Sequence, residues 1–323
     1  MLTEISPCLY NKNKIRIWNG VTLMNQGTKN MKLIQAIDEY REQCKAFDYE
    51  RDRNKAVPEG LKIIKDVSYS DYGDFSLLDI YMPEDAVGEL PVIVHTHGGA
   101  FCYGSKEVYQ FYCMSLAKQG FAVVNYNYRL SYEYSFPAPI EDLNQLLTWL
   151  AIHAQEYGLN TEQVFLAGDS AGANISYVYM TLYSNPEYRK LFALTVPKVK
   201  LLGGLLNCGP YDFVAAEHNE QQQIDLVDAY YQKPYSNYGA LIDTFSFVND
   251  NFPPCYVMTA NKDFFKEEAL KLDEKLSALG VEHVCKIWGS GEQPLYHIFH
   301  IDIASDVAVQ CNKEQCEYLK SLL

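Results

Sequence analysis

Gly168-Asp169-Ser170-Ala171-Gly172 sets a serine between two glycines in the pattern G-x-S-x-G. A short apolar run, Val164-Phe165-Leu166-Ala167, stands before it, and a run with helical spacing, Ile175 to Met180, stands after it. Strand, one sharp turn and helix are the context that lifts a serine hydroxyl out as a nucleophile. The turn forces the serine into a sparsely populated backbone region, which a residue with a side chain occupies only under strain. Residues two before and two after then crowd together, so both must be small, and both are glycine. Short patterns recur by chance, so the rest of the chain has to supply the partners.

A serine of this kind needs a base, a group to orient the base, and donors for an oxyanion. In an open parallel sheet these come from loops at the carboxyl ends of strands. Asp263 meets that rule, just beyond an apolar strand that ends at Ala260; capping of the following helix is its other reading. His297 and His300 both lie past the last strand, which ends at Trp288, whereas His283 precedes it. The loop around His297 holds Gly289, Gly291 and Pro294 and suits a projecting side chain, while His300 sits closer to the last helix and suits packing or capping there. The order Ser170, Asp263, His297 is that of the α/β-hydrolases. For the oxyanion, His97-Gly98-Gly99-Ala100-Phe101 follows an early strand directly, and the amides of Gly98, Gly99 and Ala100 join that of Ala171 as candidate donors. A tight turn alone would also call for those glycines. His95 and His97 could pass for a metal pair, but no Cys, Asp or Glu pattern accompanies them.

The elements needed to position these groups are readable from periodicity. Residues 31–50 form a helix, with Met31, Ile34, Ile37, Tyr40, Cys44 and Phe47 on one stripe. Residues 61–69 and 75–81 read as a hairpin with turn residues between them. Strands follow at 91–97, 121–126, 199–206, 254–260 and 283–288, with one more leading into the serine. Helices are expected near 106–119, 141–156, 265–279 and 302–322. Prolines 137 and 139 exclude regular helix from 128–139. From residue 91 onward strands and helices alternate, which implies an α/β fold with a mostly parallel sheet of about eight strands and helices on both faces. The stretch 208–251, rich in Gln, Asn, Asp and Tyr, has no strong period and reads as an insertion.

Composition narrows the function classes. The 323 residues are 48% hydrophobic and 21% charged, a globular balance with room for a large core. A net charge of −14 argues against nucleic acid as a partner, because phosphate binding needs clustered Lys and Arg. Nine scattered cysteines, with no CxxC pair, read as free thiols in a reducing compartment. No signal peptide is expected at Met1 to Cys8, and no apolar run reaches the length of a membrane span, so the expected location is the cytoplasm. A homo-oligomer is left open.

Taken together, His97-Gly98-Gly99-Ala100-Phe101, Tyr128-Arg129-Leu130 with Phe136-Pro137-Ala138, and Gly168-Asp169-Ser170-Ala171-Gly172 resemble the hormone-sensitive-lipase-like esterases over about residues 75–305. The resemblance implies an α/β-hydrolase core over 56–323, with a helical cap built from residues 1–55 and the insertion 208–251. It also implies a serine carboxylesterase for small, short-acyl esters, with Ser170, His297 and Asp263 as the catalytic set and no metal or organic cofactor. Two departures stand out. Ala100 replaces a third glycine, which keeps the backbone N–H, and Ile298 replaces the glycine that often follows the histidine. Tyrosines of the insertion, Tyr211, Tyr230, Tyr231, Tyr235 and Tyr238, either line a pocket or pack beneath it. A peptidase or amidase on the same fold is the rival enzyme, although such peptidases often carry glycine where Ala173 stands; a ligand-binding protein that has lost catalysis is the rival of another class.

Overall fold

The computed structural model describes residues 26–212, 229–231 and 237–323. Apolar runs at the centre of the chain become strands buried on both faces. These are β3 (Leu90–Thr96), β4 (Ala122–Tyr126), β5 (Leu159–Asp169), β6 (Leu201–Asn207) and β7 (Cys255–Ala260), joined by β1 (Leu61–Ser68), β2 (Leu77–Pro83) and the edge strand β8 (His283–Trp288). They form one eight-stranded sheet in the order β1-β2-β4-β3-β5-β6-β7-β8. β1 and β2 pair antiparallel, as does β2 with β4; every other neighbouring pair is parallel.

Alternation along each strand splits the core into two layers. Val92, Val94, Val124, Leu166 and Val257 face one side, where they meet Leu143, Leu146 and Leu150 of α3 (Ala138–Tyr157) and Ile175 and Val178 of α4 (Ala171–Ser184). Ile93, Val123, Phe165 and Met258 face the other, against Tyr112 and Leu116 of α2 (Gln110–Ala117) and Cys311 and Leu319 of the last helix, Asp306–Ser321. Helices on both faces of a mostly parallel sheet make a three-layer α/β domain.

Two differences from the expected elements are local. α3 begins at Ala138, so Pro139 lies inside it, in the first turn where a missing N–H breaks no helical bond. α2 starts only at Gln110, after a turn in which the Lys106 amide donates to Asn127 Oδ1 at 2.7 Å. The N-terminal helix α1 (Gln26–Asp52) buries Ile37, Tyr40 and Cys44, while Met31 of the expected stripe is 68% exposed. Within 208–251 the described parts are short turns, including Gly239–Leu241 and Thr244–Phe247. The remainder of that stretch, Tyr235 with it, and residues 1–25 with Cys8 lie outside the described residues. The other eight cysteines are free thiols. Among the described residues no helix is long and apolar enough to cross a membrane.

Candidate active site

Ser170 sits between β5 and α4 with φ 52° and ψ −119°, a region that side chains rarely occupy. Its N–H donates to Asn207 O at 2.9 Å, at the end of β6. The flanking glycines are required by close approach. A Cβ at Gly168 would lie 2.3 Å from Gly172 O, and one at Gly172 would lie 2.0 Å from Thr96 O. The turn therefore wedges the start of α4 against β3 and aims the serine over the carboxyl edge of the sheet.

Asp263 leaves the end of β7 and His297 the loop beyond β8, and the two side chains meet at that edge. His297 Nδ1–H donates to Asp263 Oδ1 at 2.8 Å. The same carboxylate accepts the Phe265 N–H at 2.9 Å and, through Oδ2, the Thr259 hydroxyl at 2.9 Å. Burial works against the charge of Asp263, but the facing His297 and the bonds from His297, Cys208 and Phe265 outweigh it and hold the carboxyl below its ordinary range. Ser170, Asp263 and His297 are 5, 7 and 6% exposed, so the three are shielded from bulk water. His297 Nε2, on the far side of the ring from Asp263, is buried and meets no hydrogen-bonding partner among the described residues. The Phe264 ring covers the imidazole, with centroids 4.2 Å apart.

His300 goes elsewhere. Its Nε2 lies 3.3 Å from Asn207 Nδ2, its ring meets Tyr112 edge-on, and burial lowers its pKa to about 4. It belongs to a buried polar cluster with Asn207 and Gln315 beneath the sheet edge.

Cys208 is a member of the site that the pattern of motifs does not single out. Its sulfur lies within 4.8 Å of the Asp263 and His297 side-chain donor atoms, and burial raises its pKa well above the thiol range. Ile298 holds φ 52° and ψ 30°, a left-handed conformation that favours glycine. The sulfur thus sits where the acid's loop and the base's loop meet. Its one sequence signal is position, the first residue past the carboxyl end of β6. Among the described residues one cluster of His, Cys, Asp or Glu brings its donor atoms within 4.8 Å of one another, and it is Cys208, Asp263 and His297. There the carboxylate and the imidazole are already bonded to each other.

The loop after β3 runs beside the elbow. His97 is stacked on Tyr128, with centroids 4.2 Å apart, and its carbonyl accepts the Tyr128 hydroxyl at 2.9 Å. Gly98 differs from the expectation that its amide faces a substrate. The Gly98 N–H donates to Tyr109 Oη at 3.2 Å, and that hydroxyl donates in turn to Asp169 Oδ2 at 2.7 Å. Glycine is needed here because a Cβ would lie 2.6 Å from Asp169 Oδ2. Gly99, Ala100 and Ala171 remain, and their amides meet no acceptor among the described residues.

The strand order, the elbow after β5 and the loops after β7 and β8 define an α/β-hydrolase fold. Esterase B from Lactobacillus rhamnosis (HN001) superposes with a TM-score of 0.83 at 22% identity, covering 91% of this chain and 96% of that one. The family model described as BD-FAE matches residues 78–276, and the chain belongs to that family, among the hormone-sensitive-lipase-like α/β-hydrolase esterases. Probable carboxylesterase 7 of Arabidopsis thaliana is 28% identical over 81% of this chain and 88% of its own length. A probable carboxylic ester hydrolase of Mycobacterium tuberculosis, LipM, is 32% identical over 46% of this chain, and that match spans 35% of LipM.

Proposed function

We propose that the protein is a serine carboxylesterase that hydrolyses small, short-acyl esters through Ser170, His297 and Asp263. The observation that carries this reading is the 2.8 Å bond from His297 Nδ1 to a charged, buried Asp263, at the sheet edge where a strained elbow presents Ser170. His297 Nε2 takes the Ser170 proton as Oγ attacks the ester carbonyl, and the oxyanion that forms is held by the amides of Gly99, Ala100 and Ala171. The protonated imidazole then gives its proton to the leaving alcohol as the C–O bond breaks. Water, deprotonated by His297, attacks the acyl-serine, releases the carboxylic acid and returns the proton to Ser170. Asp263 fixes the imidazole tautomer and balances its positive charge in both halves.

The small-substrate part of the reading is supported by the aromatic block next to the donor loop. Phe101 stacks on Tyr230 at 3.9 Å, and Phe136 packs against Tyr230, Tyr231 and Tyr238. Tyr230 is fully buried, and in this reading the block bounds the acyl side of the site. In this reading residues 1–55 and 208–251 are the cap and 56–323 the catalytic core, and the scattered free thiols suit the cytoplasm. Ser170→Ala removes hydrolysis of p-nitrophenyl acetate and butyrate in a folded protein; turnover retained by that variant would sink the reading.

A further inference from the structure

We propose that Arg41, on the N-terminal helix, is a positioning residue for the oxyanion donors. The inference rests on the reading of Gly99 and Ala100 as those donors.

Gly99, Ala100 and Phe101 hold φ values of 117°, 52° and 62° in succession, and two of the three carry a Cβ. Such conformations are strained for residues with a Cβ and persist only where the surroundings over-determine them. Part of the restraint is local, since Phe101 O accepts both the N–H and the hydroxyl of Ser131, at 2.9 and 3.0 Å. The rest comes from α1. Arg41 Nε donates to Cys102 O at 2.8 Å, and Nη2 donates to Ser131 O at 2.8 Å. One guanidinium therefore bridges the carbonyl next along the donor loop and the carbonyl of the residue that braces it. Glu133 accepts from Nη1 and Nη2 at 3.1 and 2.8 Å.

A planar five-donor fork can reach two carbonyls and a carboxylate at once, which a single ammonium cannot do with the same directions. The helix face around Arg41 follows the same loop. Ile37, Tyr40 and Cys44 pack against Ala100, Cys102 and Tyr103. Further along, Tyr103 Oη donates to Asp48 at 2.7 Å, and Arg51 donates to Val108 O at 2.6 Å. The helix thus grips the donor loop along its length, and of its hydrogen bonds to that loop Arg41's lies nearest Ala100 along the chain. Donors aimed at a developing charge work only where they are fixed beforehand, so loosening the grip lowers turnover more than substrate binding.

The test compares Arg41→Ala, Arg41→Lys, Glu133→Gln and Ser170→Ala on p-nitrophenyl acetate, each checked for folding by circular dichroism. Arg41→Ala lowers kcat about 10- to 100-fold, below the 10²- to 10³-fold loss seen when a donor is deleted outright, with KM within about threefold. Arg41→Lys falls between it and the wild type. Glu133→Gln stays within about twofold, because both carbonyl bonds survive. A folded Arg41→Ala with wild-type kcat, or a Glu133→Gln as impaired as Arg41→Ala, overturns the proposal. If Arg41→Ala does not fold, Arg41→Lys decides, and wild-type kcat there overturns it equally. Activity retained by Ser170→Ala would instead refute the reading of the site itself.

Discussion

Replacing Asp263 with asparagine separates the carboxylate's charge from its hydrogen bonds. Three donors point at this side chain: His297 Nδ1–H, the Phe265 N–H and the Thr259 hydroxyl. The first two converge on Oδ1, and neither can turn around. The hydroxyl can rotate to accept. An asparagine therefore settles with its oxygen toward His297 and Phe265 and its NH₂ toward Thr259, so the fold and the imidazole tautomer are kept. What is lost is the charge facing the imidazolium as it forms. Opposite charges about 4 Å apart at an effective dielectric of about 20 attract by about 4 kcal/mol, which corresponds to a loss of about 10³ in kcat. Steady-state kinetics on p-nitrophenyl butyrate, with a thermal melt alongside, measure both effects. Asp263→Asn should keep its melting temperature within a few degrees and lose kcat by about three decades. A folded Asp263→Asn within tenfold of wild-type kcat would refute the reasoning and leave Asp263 as a helix-entry cap alone. Asp263→Ala should also lose stability, because it strands buried donors at about 1–3 kcal/mol each.

Cys208→Ala removes the thiol that lies beside Asp263 and helps keep it charged, so kcat should fall about fivefold, the equivalent of about 1 kcal/mol. Cys208→Ser should recover most of it in the same assay, and equal losses in the two variants would contradict the role given to the thiol. Stability should depend on pH through two buried imidazoles, His97 and His300, each lowered by burial to about 4. Between pH 6.5 and 4 only the unfolded chain protonates them, so the unfolded state binds more protons and stability falls as pH falls, by roughly 3 kcal/mol per imidazole over the window. Melting temperatures measured from pH 7 to pH 4.5 should drop steadily, and a flat profile would be inconsistent with neutral buried histidines.

Local chemistry made the elbow and its partners readable in the sequence. Gly168 and Gly172 are forced by contacts within one turn and one neighbouring strand, Asp263 stands just past the apolar strand β7, and His297 lies in the glycine- and proline-bearing loop after β8. The α/β architecture followed from alternation alone, and the eight-stranded sheet bears it out. Groups set by long-range packing were not readable. Nothing near Gly98 in the chain announces that Tyr109 and Asp169 will claim its amide. Arg41 meets Cys102 across 61 positions, and Cys208 meets Asp263 across the gap between two strand ends. A periodic stripe shows which helix face is buried, but not what it is buried against. Met31 shows a further limit, since it keeps the period of α1 at the end where the helix runs past its contact surface.

Ser170 as an activated nucleophile is the central claim. Incubation of the wild-type protein with a fluorophosphonate, followed by peptide mass spectrometry, tests that claim most directly. One adduct per chain, located on Ser170 and absent from Ser170→Ala, is the predicted result. An unmodified Ser170 in a folded protein, or an adduct on another residue, would contradict it.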